Sequence, residues 1–120
     1  MKNTIAAISV ICIFLLSSCQ SKTVSLKSDS SNQKVHIVVT ANRIASMEPW
    51  KVDISVAAYD FKPGKLLFEL ESGDINDKTV KFDWKDDRNC IISFDQPDGT
   101  PRKFQLIADA SQVQLAEVNL

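Results

Sequence analysis

Val80-Lys81-Phe82-Asp83-Trp84-Lys85-Asp86-Asp87-Arg88-Asn89-Cys90-Ile91-Ile92-Ser93-Phe94 carries the pattern that decides the fold. Val80, Phe82 and Trp84 alternate with Lys81 and Asp83, a period of two rather than 3.6. Cys90, Ile92 and Phe94 repeat that period after a polar break rich in turn formers. Antiparallel pairing with Trp84 opposite Cys90, Phe82 opposite Ile92 and Val80 opposite Phe94 puts both apolar sets on one face. A one-residue slip would turn one set to water, so the register is fixed. The connection expected between them is a five-residue loop from Lys85 to Asn89.

The same period extends outward in both directions. Val35, Ile37 and Val39 alternate with His36, Val38 and Thr40; Val52, Ile54, Val56 and Ala58 with Asp53, Ser55, Ala57 and Tyr59. Leu66, Phe68 and Leu70 follow, then Phe104, Leu106 and Ala108, with a weaker strand from Val113 to Val118. The breaks carry Lys62-Pro63-Gly64, Ser72-Gly73-Asp74 and Gln96-Pro97-Asp98-Gly99-Thr100-Pro101, which are turn sequences. Six or seven short strands, each with one apolar face, predict an all-β fold: a small antiparallel β-sandwich, with a β-barrel as the alternative. Trp50, Trp84, Phe68, Phe82, Phe94 and Phe104 fall at inward positions and read as core; Tyr59 and Phe61 fall outward.

The N-terminal segment speaks to location. Met1-Lys2-Asn3 is a short basic start, and Ile5 to Leu16 is almost wholly apolar. As a helix that run rises about 18 Å, short of the roughly 30 Å of a bilayer core, and it fits a secretory signal peptide. Leu16-Ser17-Ser18-Cys19 closes the run and resembles the lipobox of bacterial lipoproteins. The resemblance covers the signal segment alone. It implies cleavage before Cys19, lipidation of that residue, and a membrane-anchored mature chain in the cell envelope. Gln20 follows the cysteine, which in a Gram-negative cell implies the outer rather than the inner membrane. The expected organisation is a signal peptide over 1–18, a lipidated cysteine and Ser-rich flexible tether over 19–33, and a β-sandwich over 34–120.

With Cys12 removed and Cys19 acylated, Cys90 has no partner for an intramolecular disulfide and is expected to be an inert core thiol. A net charge of -1 in 120 residues, with both signs interspersed, excludes electrostatic capture of nucleic acid as the main activity. His36 is the only histidine and lies opposite the apolar face, without a second histidine for a relay. Asp74, Asn76 and Asp77 resemble a fragment of a calcium loop but lack the remaining ligands of that motif. Glu69, Glu71, Asp83 and Asp95 sit at outward positions where charges belong. These readings predict a non-catalytic chain without cofactor or metal, a binding module for an envelope protein or a glycan. The alternatives are an inhibitor of envelope-directed enzymes, of the lysozyme-inhibitor kind, and a carrier of a small apolar ligand.

Counting strand reversals from Val35 as the first strand places the connections 41–49, 72–79 and 95–103 together at the end away from the tether. They are the three longest, and long connections on a rigid scaffold are where binding residues gather. The candidate partner-binding residues are therefore Arg43, Met47, Glu48, Asp74, Asn76, Asp77, Asp98 and Arg102. Arg43 and Arg102 are expected there as exposed charges contributing little to stability. The anchor is checked directly: Cys19→Ala is expected to abolish fatty-acid labelling and release the chain from the membrane fraction. Retention of that variant would point to an uncleaved apolar segment instead.

Overall fold

The computed structural model describes residues 21–45, 48–59, 61–71, 74–109 and 112–119. The signal segment with Cys19, and also Met47, lie outside the described residues. Eight strands run in chain order: β1 Lys22–Asp29, β2 Val35–Arg43, β3 Trp50–Ala58, β4 Gly64–Leu70, β5 Val80–Asp86, β6 Asn89–Phe94, β7 Arg102–Asp109 and β8 Gln112–Val118. They form two antiparallel four-stranded sheets, β1-β2-β3-β4 and β5-β6-β7-β8, each a simple meander. The two sheets are separate rather than closed into a barrel, so the sandwich is the architecture.

The hairpin that fixed the reading has the expected register, with Val80 opposite Phe94, Phe82 opposite Ile92 and Trp84 opposite Cys90. Its connection is tighter than a five-residue loop. β5 continues to Asp86, which pairs with Asn89, and a bulge at Lys85 absorbs the extra residue before the turn at Asp87 and Arg88. The bulge keeps Trp84 and Cys90 on one face while a short turn closes the hairpin.

The expectation of a flexible tether over 19–33 is overturned for most of its length. Lys22–Asp29 is β1, paired along β2 from Lys22 opposite Arg43 to Asp29 opposite His36. The segment has the two-residue period: Val24, Leu26 and Ser28 are half-buried, while Thr23, Ser25, Lys27 and Asp29 are exposed. Its serines read as flexible by composition, but an edge strand needs few apolar side chains when its neighbour supplies the ladder. Ser28 stands in an inward position because its hydroxyl accepts the indole N–H of Trp84 at 2.9 Å. That bond satisfies a part-buried donor from the other sheet.

Between the sheets, Ile37, Val39, Ala41, Trp50, Ile54, Cys90, Ile92, Phe94 and Leu106 are fully buried. Phe68 of β4 stacks on Phe104 of β7 at 4.3 Å and meets Phe94 of β6 edge-on at 5.2 Å. Tyr59 is 73% exposed, as its position predicted, but Phe61 turns back and packs half-buried against the core. Ile91 is also buried despite its outward position.

The β1 and β5 edges meet at one side of the sandwich through Ser28 and Trp84, and the β4 and β8 edges meet at the other. There Lys62 bridges Gln112. The connection from β4 to β5 must therefore cross from one side to the other. Three strand spacings and, at right angles to them, one sheet separation make a diagonal of roughly 17 Å, within the roughly 30 Å reach of residues 71–79. Ile75, 2% exposed, seals the end of the core on the way. This connection is long for a structural reason.

The extra strand also reverses the orientation expected for the loops. Connections 44–49, 71–79 and 95–101 do share one end, but it is the end where β1 begins. Lys22 is paired there with Arg43 across the ladder and with Asp74 at 3.6 Å. We call it the Lys22 end. The opposite, Asp29 end carries the β1–β2 turn, the 59–63 connection, the Asp87–Arg88 turn and the β7–β8 connection.

The closed β4/β8 side gives a stability test. A Cβ on Gly64 would stand 2.7 Å from Cγ1 and 3.1 Å from Cβ of Val113. Valine is β-branched and stiff at χ1, so it yields poorly. Gly64→Ala is expected to destabilise the domain by about 1–3 kcal/mol in chemical denaturation. Adding Val113→Ala should recover part of that loss, and an unchanged unfolding midpoint in the single variant would contradict the close approach.

Candidate functional site: the two ends of the sandwich

The Lys22 end holds the sequence-predicted residues, and most of those described there serve the fold. Arg102 opens β7 and lies over the Phe68 and Phe104 rings at 5.0 and 5.5 Å. Its Nε and Nη2 donate to the two carboxylate oxygens of Glu117, each at 2.8 Å, and Nη1 donates to the Glu69 carbonyl at 2.7 Å. One guanidinium thus ties β4, β7 and β8 together. The expectation that Arg102 is an exposed, energetically neutral loop charge is corrected accordingly. The hydrogen bond to Glu117 raises the Arg102 pKa, and the reciprocal bond holds the Glu117 carboxyl below its ordinary value. Arg43 likewise covers a core ring, its guanidinium 4.5 Å from the Trp50 centroid.

Asn76 organises its own turn. Its Oδ1 accepts the N–H groups of Lys78 at 2.8 Å and Thr79 at 3.1 Å, and its N–H donates to the Thr79 hydroxyl at 2.9 Å. Its side-chain amide also donates to Asp74 at 3.2 Å. Asp98 accepts the Thr100 N–H at 2.9 Å in a turn where Gly99 takes φ of +85°. Glu48 and Asp77 are exposed. The structure therefore gathers these residues at one end, and it uses Arg43, Arg102, Asn76 and Asp98 to hold that end in shape.

The residues weighed for catalysis do not converge. His36 is on the outer face of the first sheet, its Nδ1 2.7 Å from Asp29, while Cys90 is on the inner face of the second sheet and fully buried. Burial, reinforced by the charge of Asp83, pushes the Cys90 thiol up to about 12, so it is protonated and shielded at neutral pH. Asp83 pairs with Lys85 at 2.7 Å on the outer face of the second sheet, and Glu69 lies on the outer face of the first. Among the described residues no group of three or more His, Cys, Asp or Glu side chains is placed to hold a metal ion.

The Asp29 end was not singled out by the sequence, and it is built tightly. Ser30, 2% exposed, accepts the Val35 N–H at 3.1 Å and donates to Asn32 Oδ1 at 2.7 Å. Asp87, in the second sheet's turn, accepts the Ser31 hydroxyl and the Asn32 N–H. The Ser31 bond, then the Asn32 bond, hold the Asp87 carboxyl below its ordinary pKa. These contacts clip the two sheets together across the end. Arg88 lies over Phe61 at 5.9 Å, and Gln33 takes φ of 60°, a conformation that suits a tight turn. A shallow groove lined by Gln33, Lys34, His36, Ala57, Ala58 and Tyr59 opens beside this rim. The outward position of Tyr59 was its one signal in the sequence. Comparison with family models, with curated proteins and with solved structures returned no match to the chain.

Arg102 supplies the test of this assignment. Arg102→Gln breaks the bidentate pair and the ring contact, and is expected to destabilise the domain by about 1–3 kcal/mol. Because folding depresses the Glu117 pKa, the pair's contribution is present above the carboxylate's unfolded pKa. It is lost as pH falls through the lower folded value. The stability gap between wild type and Arg102→Gln should therefore narrow on acidification below the ordinary Glu range. A gap that is absent at neutral pH, or independent of pH, would contradict the clasp.

Proposed function

We propose that the chain is a lipid-anchored, non-catalytic binding module of the cell envelope, held through Cys19, that recognises a protein partner with the Asp29 end of its sandwich. One observation carries the reading: β1 begins at Lys22, three residues after Cys19. Three residues reach at most about 10 Å, so an anchor at Cys19 keeps the Lys22 end close to the lipid. Strands of six to nine residues then lift the other end roughly 25 Å farther out. The recognition surface passes from the loops of Arg43, Met47, Glu48, Asp74, Asn76, Asp77, Asp98 and Arg102 to the rim around Tyr59.

The chemistry of that rim supports the reading. A largely exposed tyrosine offers apolar area and a hydroxyl at low entropic cost, the kind of side chain that dominates binding energy at interfaces. The Ser30, Ser31, Asn32 and Asp87 bonds hold the rim in place before any partner arrives, which lowers the ordering cost of association. Inhibition of an envelope-directed enzyme is one form such recognition takes. A carrier role is less well supported, because Trp50, Phe68, Phe94 and Phe104 occupy the space between the sheets. Gln20 after the lipidated cysteine favours the outer membrane in a Gram-negative cell.

Site-specific photocrosslinking in intact cells tests the assignment. A benzoylphenylalanine at position 59 is expected to trap a discrete protein adduct, and one at position 98 is not. Adducts from position 98 with none from position 59 would place recognition at the wrong end of the molecule.

A further inference from the structure

Three side chains are both large and apolar and markedly exposed: Ile44 at 60%, Tyr59 at 73% and Leu67 at 68% among the described residues. Tyr59 belongs to the rim already described, and Leu67 sits on the outer face of β4 between Asp53 and Glu69. Ile44 is different because of where it stands. It directly follows Arg43, the last residue of β2, and Arg43 pairs with Lys22 at the start of β1.

We propose that Ile44 is a second membrane contact, seated in the headgroup layer beside the lipidated Cys19. The proposal rests on the anchor reading above and adds to it an orientation of the domain. The distances leave little freedom. Cys19 to Lys22 is at most about 10 Å of chain, a cross-strand partner lies about 5 Å farther, and the next residue about 4 Å beyond that. Ile44 therefore lies within roughly 20 Å of the acylated residue, and the strand ladder holds it there. An isoleucine in water gains by transfer to a less polar layer, and one already tethered beside that layer gives up little freedom to enter it.

The place of Ile44, next to the Arg43 that pairs with the start of β1, sets which corner faces down. Lys51 stands beside Asn42 on the outer face of the first sheet and offers a cation near this corner, while Lys22 is paired with Asp74 and Arg43 lies over the Trp50 ring. Asp74 and Asp77 belong to the connection that enters the second sheet, and Asp95 and Asp98 to the β6–β7 connection within it. The domain thus leans with its β1–β3 corner on the lipid and the β6–β7 connection, with Asp95 and Asp98, raised away from it.

The experiment uses lipidated protein purified from cells making the full chain, with 13C-labelled isoleucine δ1 methyls, in nanodiscs of phosphatidylethanolamine and phosphatidylglycerol. Ile44→Leu assigns the Ile44 methyl signal. With a lipid spin-labelled near the top of its acyl chain, the Ile44 signal is expected to lose most of its intensity. The Ile107 signal, which reports on the Asp29 end opposite Asn89, should be retained. Equal attenuation of the two, or none of either, in protein whose intact mass shows acylated Cys19 would overturn the contact and leave the anchor standing. An intact mass without acyl chains would overturn both.

Discussion

The contact of Phe68 with Phe94 and Phe104 is the interaction on which the rest of the molecule depends. Each sheet is a meander that satisfies its own backbone but exposes one apolar face. Neither face is covered by a helix among the described residues, so each sheet is the other's only lid there. Phe68 reaches from β4 into the second sheet and meets two strands at once, stacked on one ring and edge-on to the other. Arg102 covers the same rings from the end and ties three strands to the seam. The aromatic contact thus sets the spacing of the sheets at one side, and Ser28 with Trp84 sets it at the other.

Two stacked meanders leave four edge strands, and each edge is treated differently. β8 has the barest sequence, with Glu117 its only charge and no proline. Its edge is occupied at Gln112 by the Lys62 bridge, and Glu117 is held by Arg102. β5 is interrupted at Lys85 by a bulge, and β1 carries Lys22 and Lys27 at exposed positions. Covering, bulging and lysine placement all discourage pairing with a foreign strand. Gly64 belongs to the same arrangement: the close approach of β4 to β8 leaves no room for a side chain where it meets Val113.

Much of this was legible in the sequence because burial imposes a two-residue period that survives any particular choice of residue. The β5–β6 register followed from Val80, Phe82 and Trp84 against Cys90, Ile92 and Phe94, since only that pairing aligns the apolar sets. β1 was hidden because its third inward residue is Ser28, whose partner Trp84 lies 56 residues away. No local pattern reveals a hydrogen bond of that span. Missing β1 left every loop correctly grouped and the whole group at the wrong end, since each added strand reverses the chain once. The role of Arg102 is hidden for a related reason: it comes from Glu117, Glu69 and two rings that only the folded topology assembles. The Asp29 rim has no comparable signal in the sequence, because its connections are short and its order comes from Asp87 meeting Ser31 and Asn32, 56 and 55 residues away.

The β4–β5 connection shows why length alone misleads. The connection over residues 71–79 is as long as many binding loops, yet a first sheet that ends at β4 and a second that begins beside β1 force the chain to cross the end of the sandwich. Given that crossing, Ile75 is the residue that keeps water from the exposed end of the core, and Asn76 with Thr79 turns the chain into β5. A connection with those duties cannot rearrange around a partner without opening the core. The Asp29 end carries no such crossing. Its turns are short, clipped by Asp87, and leave Tyr59 projecting with its backbone N–H bonded to the Lys34 carbonyl at 3.0 Å. Freedom to evolve a binding surface therefore lies with the side chains of that rim rather than with the longest loops.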